Sequence, residues 1–208
     1  STHCISSAAS DVYKRQLHLA VKLLEVGEGD TVICPSLTFA ATVNPVAYEK
    51  GKIVFVDSEP ETWNMSPQAL RRALGEHKEA KAVIVAHLYG TPGKVDEIQQ
   101  VCEKHGAIIV EDAAESMGAT YKGKQTGTFG KYNCISFNGN KIITGSSGGM
   151  LLTDSEDAAN KVRKWSTQAR ENAAWYQHEE VGYNYRMSNV IAGVAVSYTH
   201  LTLPTICS

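Results

Sequence analysis

Four short runs of apolar, mostly β-branched residues, at 31–34, 53–56, 82–86 and 107–110, recur along the first half of the chain, each followed by a polar turn. Unbroken runs of this kind, without the alternation of a half-exposed strand, belong to strands covered on both faces, as in a parallel sheet flanked by helices. The stretches between them carry helical patterns: 42–50, 66–74 with Pro67 in the first turn, and 95–105 ahead of Gly106. Strands are also expected at 133–137 and 149–153, and a helix at 155–168. The expected fold class is α/β, a mostly parallel sheet flanked by helices. Its 208 residues are 43% hydrophobic and 20% charged, which suits a single globular domain with a full core.

Charge and composition remove several classes of partner. A formal net charge of −2 leaves no basic field for a phosphate backbone, so nucleic acid is not an expected partner. No apolar run approaches the roughly 18 residues that span a bilayer, and the opening residues lack a signal-peptide layout. A cytoplasmic location, with no membrane partner, is the expectation. Cys4, Cys34, Cys102, Cys134 and Cys207 are scattered, with no C-x-x-C pair, and read as reduced thiols rather than a metal or disulfide framework. The two ends differ from the middle. Residues 1–16 and 197–208 resemble translated sequencing-adapter read-through, so the native domain is expected to run over 17–196 as part of a longer protein.

In open α/β sheets ligands sit beyond the carboxyl ends of the strands. The residues there are Pro35 to Phe39, His87 to Gly90, Glu111 to Ser116 and Ser136 to Lys141. Asp112 closes an apolar run and is followed by two alanines, small enough for a flat ring to approach the backbone. Lys141 follows 29 residues later, ahead of a glycine-rich stretch at 144–149. These residue types suit pyridoxal 5′-phosphate (PLP), which needs a lysine amine, an acid beside its ring nitrogen, hydroxyls for its phosphate and an aromatic cover. Ser136 could supply the hydroxyl and Phe39 the cover. Taken singly each has a plainer reading: a solvated lysine, a helix-capping aspartate, a core phenylalanine, a turn serine. His87, His105 and Arg170 have no partner visible in the sequence and are read as structural.

Five blocks in order decide between these readings. They are Gly27-Glu28-Gly29-Asp30-Thr31-Val32-Ile33-Cys34-Pro35-Ser36-Leu37-Thr38-Phe39-Ala40-Ala41-Thr42, His87-Leu88-Tyr89-Gly90, Glu111-Asp112-Ala113-Ala114-Glu115-Ser116, Ser136-Phe137-Asn138-Gly139-Asn140-Lys141-Ile142-Ile143-Thr144 and Gly182-Tyr183-Asn184-Tyr185-Arg186-Met187-Ser188-Asn189. Together they resemble the DegT/DnrJ/EryC1/StrS family of sugar aminotransferases. The resemblance implies the large domain of a fold type I PLP-dependent transferase, with the small C-terminal domain missing. It implies transfer of an amino group from an amino acid, usually glutamate, to a nucleotide-linked keto-sugar, most like a UDP-linked 4-keto-6-deoxy-hexosamine. By it Lys141 matches the Schiff-base lysine, Asp112 the pyridinium partner, Ser136 a phosphate ligand and Phe39 the aromatic over the ring. Glu115 falls where the family often has glutamine, near the cofactor's 3-hydroxyl. Asn184 matches an asparagine given to the phosphate across a dimer interface, which implies a homodimer with shared active sites.

One departure bears on cofactor retention. The family's Gly-Thr-(Ser/Ala)-Ala phosphate cradle should directly precede Leu17, but Tyr13-Lys14-Arg15-Gln16 stands there. Poor retention of PLP by this chain is the expectation. A sugar dehydratase of the same fold stays open as an alternative, although histidine commonly replaces the lysine in those enzymes. A nicotinamide dehydrogenase would need a G-x-G-x-x-G after a strand, which is absent. An inactive fragment of such an enzyme and a non-catalytic binding protein are the remaining alternatives.

Overall fold

A computed structural model of the chain describes residues 6–10 and 13–197. In chain order the elements are β1 (Ser6–Ser10), α1 (Tyr13–Leu23), β2 (Thr31–Pro35), α2 (Asn44–Tyr48), β3 (Lys52–Val56), α3 (Pro67–Glu76), β4 (Ala82–Ala86) and α4 (Val95–His105). They continue with β5 (Ile108–Asp112), a small hairpin of β6 (Thr120–Tyr121) and β7 (Lys124–Gln125), then β8 (Tyr132–Ser136), β9 (Gly149–Thr153), α5 (Glu156–Ser166) and α6 (Asn189–Val196). Seven strands form one sheet in the order β1-β9-β8-β5-β4-β2-β3. The pairings of β2 with β3 and β4, of β4 with β5 and of β5 with β8 are all parallel. Strand β9 alone is reversed, lying antiparallel to β8 and to β1. The mostly parallel α/β architecture expected from the apolar runs is the one observed.

Alternation along each buried strand divides the core between two helical layers. Val32 and Cys34 of β2, Ile84 of β4 and Val110 of β5 pack with Leu17, Ala20 and Val21 of α1 and with Val162 and Trp165 of α5. Ile33, Val83 and Val85 point the other way, against Leu70 and Leu74 of α3 and Ile98 and Val101 of α4. Each fully buried aliphatic side chain contributes about 1.5–3 kcal/mol relative to exposure.

Local signals fix the helix ends. Ser66 caps α3 by accepting from the Ala69 N–H at 3.2 Å, and Ser155 caps α5 the same way from Ala158. Gly106, at φ 69°, supplies the left-handed residue that ends α4. The helix expected over 42–50 is shorter than its pattern: a 3-10 turn at Ala40–Thr42 precedes α2. Pro45 explains the break, since it has no N–H to give to the Ala41 carbonyl.

Residues 13–16, set apart by the sequence reading, form the first turn of α1, and residues 6–10 pair with β9. Apart from Ser197, the closing segment 198–208 lies outside the described residues, as do 1–5, 11–12, Cys4 and Cys207. Cys34, Cys102 and Cys134 are free and buried, and burial pushes the thiols of Cys34 and Cys102 up to about 12. Among the described residues no helix is long and apolar enough to cross a membrane.

Helix α1 also receives the segment after α5. His18 Nε2 lies 2.7 Å from Glu49 Oε1, and its Nδ1 lies 3.1 Å from the Tyr185 hydroxyl. The stacked rings of Tyr183 and Tyr185 lie against this imidazole. Burial lowers the His18 pKa below 6.5, opposed by Glu49.

Two outcomes follow from α1. Gln16 is fully buried with neither side-chain polar atom hydrogen bonded among the described residues. An unsatisfied buried polar group costs about 1–3 kcal/mol, so Gln16→Leu should raise the unfolding free energy by about 1 kcal/mol in urea denaturation. Since His18 has a lower pKa folded than unfolded, the unfolded chain takes up its proton first. Its stabilising contribution is therefore complete above pH 6.5 and declines as pH falls through that value. Urea denaturation across this window should show the decline, and His18→Gln should lack that part of it.

Candidate active site

Strands β2, β4, β5 and β8 all point their carboxyl ends toward one edge of the sheet, and the loops there enclose a cavity of about 200 Å3. Asp112, the last residue of β5, lies at its wall with 6% of its surface exposed. Its Oδ2 accepts from the Thr42 hydroxyl at 2.7 Å and its Oδ1 from the Ala114 N–H at 3.2 Å. Burial pushes the Asp112 carboxyl above the usual carboxylate range, opposed by the Thr42 and Ala114 bonds and by the charge of Lys141.

Lys141 reaches the same cavity from the loop after β8. That loop is tied at its base, where the Phe137 N–H donates to Gly148 O and the Gly145 N–H to Phe137 O, both at 2.9 Å. Phe137, Ile143 and Met187 form a small apolar cluster beneath it. The Lys141 amine donates to Glu115 Oε1 at 3.0 Å with 9% of the lysine side chain exposed. Glu115 Oε2 accepts from the Tyr89 N–H at 2.8 Å, so one carboxylate joins the loops after β4, β5 and β8. Gly90 makes this approach possible: a Cβ there would stand 3.0 Å from the Glu115 carbonyl oxygen, and its φ is 86°. Phe39 stands at the cavity rim with 66% exposure.

Of the six residues singled out by the sequence, Phe39, Asp112, Glu115 and Lys141 line one cavity. Ser136 is buried at the end of β8, accepts from the Asn138 N–H at 3.2 Å, and is not in the cavity wall. Asn184 is exposed and lies by α1, its carbonyl accepting from Arg15.

Two partnerships were not visible in the sequence. Thr42 bonds Asp112 across 70 residues, and the only hint was its place at the end of the 27–42 block. His87 does have a partner: its Nε2 lies 2.8 Å from Glu111 Oε1, with both side chains buried. Gly93 N–H donates to His87 Nδ1, which leaves the ring proton on Nε2 to donate to Glu111. The Gly127 and Phe129 N–H groups also donate to Glu111, at 2.5 and 2.8 Å. Adjacent strand residues face opposite sides, so Glu111 secures the loops beneath the sheet edge while Asp112 faces the cavity.

With that geometry in view, comparisons with known proteins are decisive. The sequence profile of the DegT/DnrJ/EryC1/StrS aminotransferase family matches residues 3–202. EpsN of Bacillus subtilis (strain 168), whose name describes a pyridoxal phosphate-dependent aminotransferase, is 57% identical over 185 residues, covering 87% of this chain and 48% of its own. GDP-perosamine synthase of Escherichia coli O157:H7 is 38% identical over 181 residues, covering 87% and 49%. The X-ray structure of the aminotransferase from Psychrobacter cryohalolentis superposes with a TM-score of 0.87 at 29% identity, covering 95% of this chain and 52% of that one. The chain thus spans about half the length of the curated relatives it matches. On the strength of the profile and of these relatives, the chain belongs to the DegT/DnrJ/EryC1/StrS aminotransferase family.

Proposed function

We propose that the protein moves an amino group from an amino acid, with glutamate as the expected donor, onto a nucleotide-linked keto-sugar, using PLP attached at Lys141. The observation that carries this reading is the convergence of the Lys141 amine and the Asp112 carboxylate on one cavity. The names of its relatives agree in kind, one with PLP and the other with a GDP-linked sugar.

The residues present fit the ring end of PLP. Asp112 is a buried carboxylate whose charge is disfavoured by burial, and a protonated ring nitrogen would offset that cost. Ala86 and Ala114 leave the wall shallow enough for a flat ring, and Phe39 stands at the rim where it can cover one face. The phosphate end is served less well. Ser136 is its proposed ligand, and Tyr13-Lys14-Arg15-Gln16 replaces the family's cradle, so weak retention of the cofactor by this chain remains part of the proposal.

When bound, PLP supplies an electron sink for the charge that develops as a carbon beside the amine loses its proton. The chain's own residues do the rest. Lys141 Nζ would hold the cofactor, and as a free amine it would be the group placed to accept and return a proton. Asp112 would keep the proton on the ring nitrogen, and Glu115 accepts from Lys141 Nζ at Oε1 while its other oxygen, Oε2, is held by the Tyr89 N–H. Donor and keto-sugar use the cavity in turn. Asn184, exposed and away from its own cavity, is assigned to the phosphate of a second copy's site, giving a homodimer. A cytoplasmic setting completes the proposal.

Lys141→Ala should abolish both the visible absorption of added PLP on the protein and the formation of 2-oxoglutarate from glutamate in the presence of a nucleotide-linked keto-sugar. Asp112→Asn should retain the colour and lower amine transfer by about 100-fold or more, since the sink loses its proton. Full transfer by Lys141→Ala would end the proposal.

A further inference from the structure

Two threonines at the cavity wall remain without a part in this scheme. Thr42 is buried at 1% exposure, at the end of the 3-10 turn Ala40–Thr42, and its hydroxyl lies 2.7 Å from Asp112 Oδ2. The Thr38 hydroxyl, half-buried one turn earlier, lies 2.8 Å from the Thr42 hydroxyl. A hydroxyl carries one proton. While Asp112 is anionic, the proton of Thr42 must point to it, and Thr42 can then only accept from Thr38.

We propose that Thr38 and Thr42 are positioning residues, a directed hydroxyl relay from Thr38 to Thr42 to Asp112 that keeps the Asp112 carboxylate ionised and fixes its plane against the cofactor ring. The inference rests on the assignment of Asp112 made above. The plane is fixed because the two carboxylate oxygens have separate donors on separate loops, Thr42 for Oδ2 and Ala114 N–H for Oδ1. Rotation about the Cβ–Cγ bond would break both bonds at once. The relay also reports charge: if Asp112 took up a proton, it could donate to Thr42 and the order of donors would reverse.

The other charged and titratable groups near this carboxylate cannot substitute for the relay. Lys141, facing it from the loop after β8, favours the anion, and Glu115 opposes it. Cys134, on the neighbouring strand β8, is held neutral by burial and by the charges of Asp112 and Glu111. His87 shares the cavity wall but spends its Nε2 proton on Glu111. Thr42 thus gives Asp112 its one hydrogen bond from a side chain among the described residues.

The test uses the whole chain carrying Thr42→Val, Thr42→Ser or Thr38→Val, with two readouts that do not involve turnover. Infrared titration of the Asp112 carboxyl in cofactor-free protein, identified by its loss in Asp112→Asn, should move upward in Thr42→Val, stay in place in Thr42→Ser and move upward by less in Thr38→Val. The equilibrium dissociation constant for PLP should rise about tenfold in Thr42→Val, the loss expected for one hydrogen bond to a charged group, and recover in Thr42→Ser. In an Asp112→Asn background Thr42→Val should change that constant less than twofold. An unmoved titration in folded Thr42→Val, or in Thr38→Val should Thr42→Val fail to fold, overturns the relay. That result would leave covalent capture of PLP by Lys141 untouched, whereas failure of capture alone would strike the functional assignment and not the titration.

Discussion

The Asp112 carboxylate is placed where burial works against its charge, at the end of a central strand with 6% of its surface exposed. Such a group persists only with compensation, and the surrounding sequence supplies it from three directions: a hydroxyl from the loop after β2, an N–H from its own loop, and the field of Lys141 from the loop after β8. The parallel sheet is what brings those loops to one edge. Removing Asp112 would leave a lysine, a glutamate and two threonines arranged around nothing.

The scaffold beneath is held by a second buried carboxylate of a different kind. Glu111 faces away from the cavity and accepts from His87, Gly127 and Phe129. Its role is closure: it ties the loop after β4 to the segment that leads into β8, so that the neighbouring residue meets its partners in register. Consecutive acids on one strand therefore do separate work, and the two-residue period of the strand divides it between them.

Much of this was legible in the residue order. The strands at 31–34, 53–56, 82–86 and 107–110 announce themselves because strands buried on both faces are apolar throughout, and serine caps and Gly106 mark the helix ends. Phe39, Asp112 and Lys141 were legible from their places at or just beyond strand ends, and the five ordered blocks of the family resemblance joined them, with Glu115, into a set. What escaped was pairing at long range. Thr42 to Asp112 spans 70 residues and His87 to Glu111 spans 24, and both depend on strand register, which composition does not encode. The shortening of α2 by Pro45 was readable but was masked by the helical pattern around it. The docking of Tyr183 and Tyr185 on His18 also lay beyond local reasoning, because α1 and that segment are far apart in the chain. Ser136 and Asn184 stand outside the cavity wall in the single chain, and their assigned parts belong to the functional proposal.

The central claim is that one nitrogen, Lys141 Nζ, closes on the aldehyde of PLP beside Asp112. Borohydride reduction of the protein incubated with PLP, followed by peptide mass mapping, addresses it directly. The account predicts a stable phosphopyridoxyl adduct on the peptide bearing Lys141. An adduct confined to other lysines, or none on that peptide at saturating PLP, would contradict it.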